Sequence, residues 1–416
     1  MTKQSFDAFM MFKLTIVICF LFNYFANSQD LDSQIQSLVD QVFPKPNISS
    51  TDNRNKDNEQ TGVNLQPSGD GQDGQDMSSC LCVPYYLCKN GSLIKDGVGI
   101  IDIRIQDNPC SDYLETCCGS SERVVDPITP KPDPAKTIGC GHHNPEGVGF
   151  RITGNKDNEA QFGEFPWMTA VLREEELEGQ SSKLNVYQCG GALIHRQVVL
   201  TAAHCVTDKT KKFKVRVGEW DTQTKKELYP HQDRNVEKIM IHPEFYAGAL
   251  FNDVALLFLE SPVELAENVN VICLPPQGAV IDHARCYASG WGKDVFGKEG
   301  KYQVILKKID LPIVPRQQCQ NALRTTRLGK FFELHKSFVC AGGEAGKDTC
   351  KGDGGSPLVC PVEGTKDVYH QVGIVAWGIG CGENQVPGVY ANIALFRDWI
   401  DEQMAYHNFD RNVYSY

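Results

Sequence analysis

The sequence is short of positive charge. Its 41 Lys and Arg face 52 Asp and Glu, for a formal charge of −11 over 416 residues. Phosphate binding draws on basic patches, so this balance argues against nucleic acid as a partner. A second long apolar run is also missing. The stretch from Leu14 to Phe25 is the single candidate, and a membrane span needs about 20 such residues, so no membrane anchor is expected. The cysteines lack the paired Cys-x-x-Cys and His-x-x-x-His clusters of zinc sites. What remains is ordinary globular composition, 41% hydrophobic and 22% charged, in a chain long enough for more than one domain.

The apolar run follows Lys3 and Lys13 and ends at Ala26-Asn27-Ser28. A basic start, a short apolar core and a small-x-small site predict a signal peptide over 1–28, with a secreted, soluble mature chain from about Gln29. Cysteine usage agrees. Seventeen are present; Cys19 leaves with the signal, and an even number in a secreted chain predicts disulfides.

Residues 29–79 form a low-complexity segment. Leu31, Ile35, Leu38, Val39 and Val42 have near-helical spacing, whereas 44–79 is polar and has almost nothing to bury. Asn47 and Asn90 open glycosylation sequons. Between 80 and 118 lie six cysteines, too close together for a domain with its own large core, so they predict a covalently stapled module. Fifteen pairings are open from sequence alone. Gly99 to Ile105 alternates like a strand inside this module. A linker over 119–151, extended by Pro127, Pro130, Pro132 and Pro134, follows.

From 152 to 416 short apolar runs punctuated by turn residues predict an all-β barrel or sandwich. A closing helix from Leu395 to Met404 has Leu395, Trp399 and Ile400 on one face. Within this domain stand Thr201-Ala202-Ala203-His204-Cys205, Asn252-Asp253-Val254-Ala255-Leu256 and, later, Cys350-Lys351-Gly352-Asp353-Gly354-Gly355-Ser356-Pro357. In order and spacing these resemble the histidine, aspartate and nucleophile motifs of the chymotrypsin-like serine peptidases. The resemblance implies a double β-barrel. One departure is decisive: glycine, Gly354, stands where the family has its nucleophile serine, and glycine has no oxygen to attack a carbonyl. Ser356 lies two residues on, roughly 6–7 Å along an extended chain.

The resemblance also implies His204 as general base, Asp253 as its orienting partner, and an oxyanion hole from the Gly352 and Gly354 amides. A trypsin-like specificity pocket would have Asp348 at its base and Gly378 and Gly388 on its walls, although Ala376 replaces the usual serine before Trp377. The six-cysteine module resembles the clip domain found upstream of arthropod serine proteases, the alternative being a generic disulfide knot. Together the two resemblances imply bridges Cys80–Cys117, Cys82–Cys110, Cys88–Cys118, Cys140–Cys273, Cys189–Cys205, Cys286–Cys360, Cys319–Cys340 and Cys350–Cys381. They imply a calcium loop as well, with carboxylates from Glu219, Asp221 and Glu227 and the Thr224 carbonyl; a solvated acidic turn is the alternative.

As a whole the chain resembles the clip-domain serine protease homologues of arthropod plasma, and among them the non-catalytic prophenoloxidase-activating factors. That implies a cofactor of melanisation and innate immunity whose partners are prophenoloxidase and an active clip-domain protease that cleaves it, with self-oligomerisation after cleavage. The competing readings are an active trypsin-like endopeptidase working through Ser356 and a secreted protein that recognises microbial surfaces. Three Arg–aliphatic bonds lie near module boundaries, after Arg104, Arg123 and Arg151. Cleavage is expected at Arg123, in the Pro-rich linker, ahead of Arg151 and of the strand-borne Arg104.

Overall fold

Branched and aromatic residues dominate the strands of the large domain, and closing each sheet on itself leaves no edge unpaired. The computed structural model describes residues 80–88, 100–102, 110, 112, 114–119, 123, 139–153, 158–176, 183–281, 284–292, 302–347, 353–380 and 385–416. The first barrel consists of β5 (Met168–Glu176), β6 (Lys183–His195), β7 (Val198–Thr201), β8 (Phe213–Val217), β9 (Gln232–Ile241) and β10 (Ala255–Leu259). Its strand order is β10-β7-β6-β5-β8-β9. β10, Ala-Leu-Leu-Phe-Leu, is buried at every position, whereas β8 alternates, with Phe213, Val215 and Val217 inward and Lys214 and Arg216 outward.

The second barrel closes in the order β11-β12-β13-β16-β15-β14. Its strands are β11 (Arg285–Gly290), β12 (Lys307–Val314), β13 (Phe338–Gly342), β14 (Pro357–Pro361), β15 (Tyr369–Trp377) and β16 (Pro387–Asn392). This is the chymotrypsin-like double barrel that the motif resemblance implies, and closure of both sheets excludes the sandwich that strand pattern alone left open. A short helix, α1 (Arg316–Arg324), follows β12, and the chain closes with α2 (Ile393–Tyr406). The expected α2 face holds and is wider: Ile400 is buried and Leu395 and Trp399 pack half-buried on the same core, joined by the buried Ile393, Phe396 and Met404. His242 of the first barrel meets Phe396 and Trp399 at 5.1 and 5.0 Å between ring centroids.

The stapled module pairs β1 (Leu81–Pro84) antiparallel with β3 (Glu115–Cys118). Its bridges are Cys80–Cys117, Cys82–Cys110 and Cys88–Cys118. It does not stand apart. Leu114 is fully buried in the cluster that forms the first barrel's core, and Tyr86 packs on the same cluster. The alternating stretch expected as a strand of this module instead forms β2 (Ile100–Asp102), which pairs parallel with β4 (Arg151–Thr153). An isolated three-residue strand has no partner inside so small a unit and takes the nearest free edge.

The later half of the expected linker is likewise part of the fold. Cys140 is bridged to Cys273, the Gly141 amide donates to the Val271 carbonyl at 2.8 Å, and the Tyr369 amide donates to the Gly141 carbonyl at 2.8 Å. A Cβ on Gly141 would lie 2.1 Å from the Tyr369 oxygen, at φ +73°, so only glycine fits there. Val148 and Phe150 are buried, with Phe150 stacked on Phe162 at 5.7 Å. Other bridges are Cys189–Cys205, Cys286–Cys360 and Cys319–Cys340. Cys350 and Cys381 lie outside the described residues, as do Asn47, Asn90 and Arg104.

Beside the Cys140 tether, His370 is buried and bonded through Nδ1 to the Tyr416 hydroxyl at 2.6 Å. Burial pulls its pKa down to about 4. The folded state therefore binds fewer protons than the unfolded chain between that value and about 6.5. Stability from this group is present above pH 6.5 and lost as pH falls through 4, amounting to about 2–3 kcal/mol. Denaturant titrations at the two ends of that window should show the loss reduced by this amount in His370→Phe. Equal acid sensitivity in both proteins would contradict the assignment.

Candidate functional site

The site forms where the barrels meet. His204 lies on a 3-10 turn, Ala203–Cys205, directly after β7. Asp253, with no exposed surface, precedes β10. Its Oδ1 accepts the His204 backbone amide at 2.8 Å, and its Oδ2 lies 2.6 Å from His204 Nδ1. Two bonds to one buried carboxylate fix both the turn and the ring. Asn252, at φ +54°, supports the aspartate loop by donating from Nδ2 to the Glu244 carbonyl at 2.8 Å and from its backbone amide to Ser337 Oγ at 3.2 Å.

The second barrel brings the loop before β14 against this pair. A Cβ built on Gly354 would lie 2.9 Å from His204 Nε2 and 3.9 Å from Cys189 Sγ. Gly354 thus occupies the nucleophile position in space as well as in sequence, and the imidazole has settled into part of the volume that a side chain would take. The Gly354 carbonyl accepts the Gly190 amide at 3.0 Å, and the Gly355 amide donates to Val375 at 2.9 Å. Cys189, His204 and Cys205 are close enough for a metal site, but both sulfurs belong to one disulfide and offer no thiolate.

Ser356 is displaced from that chemistry. It is fully buried, its Oγ has no hydrogen-bond partner, and it would clash with a Cβ on Gly190 at 2.0 Å. The hydroxyl points into space that two glycines, Gly190 and Gly290, leave open between the barrels. A nucleophile needs a base within hydrogen-bond reach and a path to substrate; this hydroxyl has neither.

Asp353 is held by glycines too. Its Oδ1 accepts the Gly292 amide at 2.9 Å, and a Cβ on Gly292 would stand 2.3 Å from that oxygen. On the intact chain Ile152 is held elsewhere. Its amide donates to Gln161 Oε1 at 2.7 Å, and Gln161 Nε2 donates back to the Ile152 carbonyl at 2.9 Å. Glu164, almost fully buried, accepts the Gln161 amide at 2.7 Å and Lys308 Nζ at 2.6 Å. Neither Gln161 nor Glu164 is visible as functional from sequence; the only signal is an acidic residue inside the aromatic run Phe162-Gly163-Glu164-Phe165. Arg151 is exposed and paired with Glu146, while Ile152 is buried. Arg123 is exposed and bridges antiparallel to Cys88.

Of the expected pocket residues, Asp348 lies outside the described residues, as does Gly352. Gly378 is exposed; Gly388 is buried in β16 opposite Ala341. Ala376 is half-buried, and Trp377 packs edge-on against Phe338 at 5.8 Å.

The acidic loop after β8 brings Glu219 and Glu227 together, both 6% exposed, with Asp221 buried beside them. Among the described residues, these carboxylates do not place three ligand atoms within 4.8 Å of one another. Glu219 accepts from Arg216 at 2.9 Å and pairs with His231 at 3.2 Å. Burial alone would raise its pKa, but His231 and then Arg216 outweigh burial and hold it low. Glu227 lacks such cations; burial and the adjacent Glu219 charge push it up to about 8. Its Oε1 accepts the Asp221 amide at 3.1 Å, whereas Asp221 Oδ1 accepts Gln223. Lys226, in the same loop, turns the other way and pairs with Asp112 and Glu115 of the stapled module, both at 2.9 Å. Sequence reading missed this contact, since the partners lie more than a hundred residues apart.

Two six-stranded barrels carrying an oriented His–Asp pair define a trypsin-like protease scaffold, here with glycine facing the histidine. Comparison with known proteins agrees. The trypsin family profile matches residues 155–400, more than half of the chain, and the profile of the serine protease clip domain, PPAF-2 type, matches 69–119. The chain is 59% identical over 298 residues to phenoloxidase-activating factor 2 of Galleria mellonella, covering 70% of this chain and 98% of that one. It is 38% identical over 346 residues to inactive CLIP domain-containing serine protease A8 of Anopheles gambiae, covering 81% and 93%. Phenoloxidase-activating factor 1 of Holotrichia diomphalia is 30% identical over 347 residues, covering 77% and 89%. The chain therefore belongs to the clip-domain serine protease family, and several of its relatives are named inactive.

Proposed function

We propose that this chain is a secreted, catalytically inactive clip-domain protease homologue of arthropod plasma that serves as a cofactor in prophenoloxidase activation. One observation carries the reading: His204 and Asp253 are in place, and the atom they would activate is missing at Gly354. Loss of a nucleophile serine costs about 10⁶ in kcat in the subtilisin example, leaving about 10³–10⁴ over the uncatalysed rate, too little for peptide hydrolysis. The names of the relatives supply the cascade, and an acidic chain with a covalently braced double barrel suits a scaffold that binds proteins. Its partners in this reading are prophenoloxidase and an active clip-domain protease.

A fluorophosphonate probe tests the chemistry. The unmodified protein should not be labelled and should not cleave Arg or Lys esters. Gly354→Ser should become labelled at residue 354, with low turnover, because His204 Nε2 must retreat a few tenths of an ångström from the new Cβ. Labelling of the unmodified chain at Ser356 would overturn the reading.

Regulation by cutting belongs to the same proposal. Arg151 lies in a paired strand and Ile152 is buried with both backbone groups bonded to Gln161, so a protease would have to unfold that edge first. Arg123 is exposed and held by one isolated bridge. Cleavage after Arg123 would leave the clip domain attached by non-covalent contacts and free to reposition for self-assembly. Mixing prophenoloxidase, its activating protease and this protein, with each omitted in turn, tests both points. Activity should require all three components, and the processed chain should begin Val124-Val125-Asp126-Pro127. Full activation without this protein, or a new end at Ile105 or Ile152, would count against it.

We also propose that Glu219, Asp221, the Thr224 carbonyl and Glu227 hold calcium. What supports this is the buried Glu219–Glu227 pair, which keeps a proton on Glu227 that a hard divalent cation would replace. Binding to the folded state alone stabilises it by about 2.7 kcal/mol at 100 times Kd. The melting temperature should rise with millimolar calcium over chelator, and Glu227→Gln should lose the rise. No shift in the unmodified protein would remove the proposal.

A further inference from the structure

Within the first barrel, β9 carries a bulge. Lys238 pairs with Phe258 and Val236 with Leu259, so Glu237 is skipped in the register. A skipped residue reverses the alternation beyond it, which turns Val236 onto the face of Ile239 and Ile241. The opposite face turns toward the end of α2: exposed Lys238 has its Nζ 3.1 Å from His407 Nε2, and Phe258 meets the His407 ring at 4.5 Å. The three branched side chains on the near face are only half-buried. With Phe213 they floor a groove of about 640 Å³.

The wall of that groove is the loop after His204. Lys209, Lys211 and Lys212 line it and are exposed. Lys214 beside them pairs with Glu174 at 3.5 Å; among the described residues, the Nζ groups of the other three have no ion-pair or hydrogen-bond partner. The loop is shaped in advance, because Asp208 Oδ1 accepts both the amide and the hydroxyl of Thr210, at 3.0 and 2.6 Å. Less ordering is then lost on binding. Among the described residues that line the groove, Glu237 is the one exposed carboxylate; Glu174, which also lines it, is half-buried and paired with Lys214, and exposed Asp208 lies in the lysine loop itself. Three unpaired cations beside an open apolar floor stand out on a chain of net charge −11.

We propose that this groove docks an acidic segment of a partner protein that carries branched or aromatic side chains between its carboxylates. The lysines supply attraction and register for the carboxylates. Val236, Ile239 and Ile241 supply burial for the apolar side chains. A sulfated glycan would use the lysines and gain nothing from the floor, so the pairing of charge with apolar surface selects a peptide. The groove is built from β8, β9 and the lysine loop, and the inference does not depend on the state of the Gly354 cleft.

Fluorescence anisotropy on the full chain, with a short labelled peptide alternating Glu with Leu and Phe, tests it. The peptide should bind, and the triple change Lys209→Glu, Lys211→Glu, Lys212→Glu should weaken binding at least about tenfold, with the salt dependence flattened. Val236→Thr with Ile239→Thr should weaken it about tenfold at unchanged salt dependence. The lysine changes are all at exposed positions, so they keep the test decisive if the floor variant loses its fold. Equal binding to the wild type and the lysine variant would overturn the proposal. So would an all-Glu peptide, or a heparin fragment, that binds better than the alternating peptide and ignores the floor variant.

Discussion

The space between the two barrels is so tight that glycine is required on both sides of it. Gly190 and Gly290 leave room for Ser356, Gly292 leaves room for the Asp353 carboxylate, and a Cβ on Gly355, at φ +80°, would stand 2.5 Å from the Gly190 carbonyl oxygen. These contacts fix residues 353–356 against the first barrel, and through them the position of Gly354 relative to His204. The geometry of the site is therefore independent of the residue at 354, because none of the contacts that set it uses a side chain there.

The N-terminal side of the chain is bound to that scaffold by several unlike interactions. Cys140–Cys273 ties the chain covalently, Leu114 and Tyr86 pack on the first barrel, and Lys226 reaches Asp112 and Glu115. These half-buried ion pairs keep enough water around Lys226 to contribute little individually, so burial of Leu114 dominates the docking. The loop that carries Lys226 also carries the Glu219–Glu227 pair, which places the clip domain's footing next to two buried carboxylates. The parallel pairing of β2 with β4 adds a further link between the clip domain and the segment at Arg151.

Much of the site was legible because its motifs are local. Thr201-Ala-Ala-His204-Cys205 and Asn252-Asp253 each specify a turn and a side chain within a few residues, and a glycine at 354 needs no structure to be recognised as lacking an oxygen. The full width of the α2 stripe was not legible because it is set by what the helix packs on, and Phe396 faces His242, just past the end of β9. The role of Gln161 was invisible because amide side chains have no distinctive spacing. It becomes specific only when Glu164 and Lys308 orient it toward Ile152.

By itself, the sequence determined the module order, the all-β class, the charge balance and the absence of a hydroxyl at residue 354, since each follows from residue identity or short-range periodicity. Tertiary structure alone decided that β2 leaves its module for β4. It also decided that the last part of the linker is structural, that Ser356 faces a glycine-lined interior, and that a bulge in β9 gathers three apolar side chains beside unpaired lysines. The reason is common to these cases. Each depends on which distant backbone occupies the neighbouring volume, and only the closed fold specifies that.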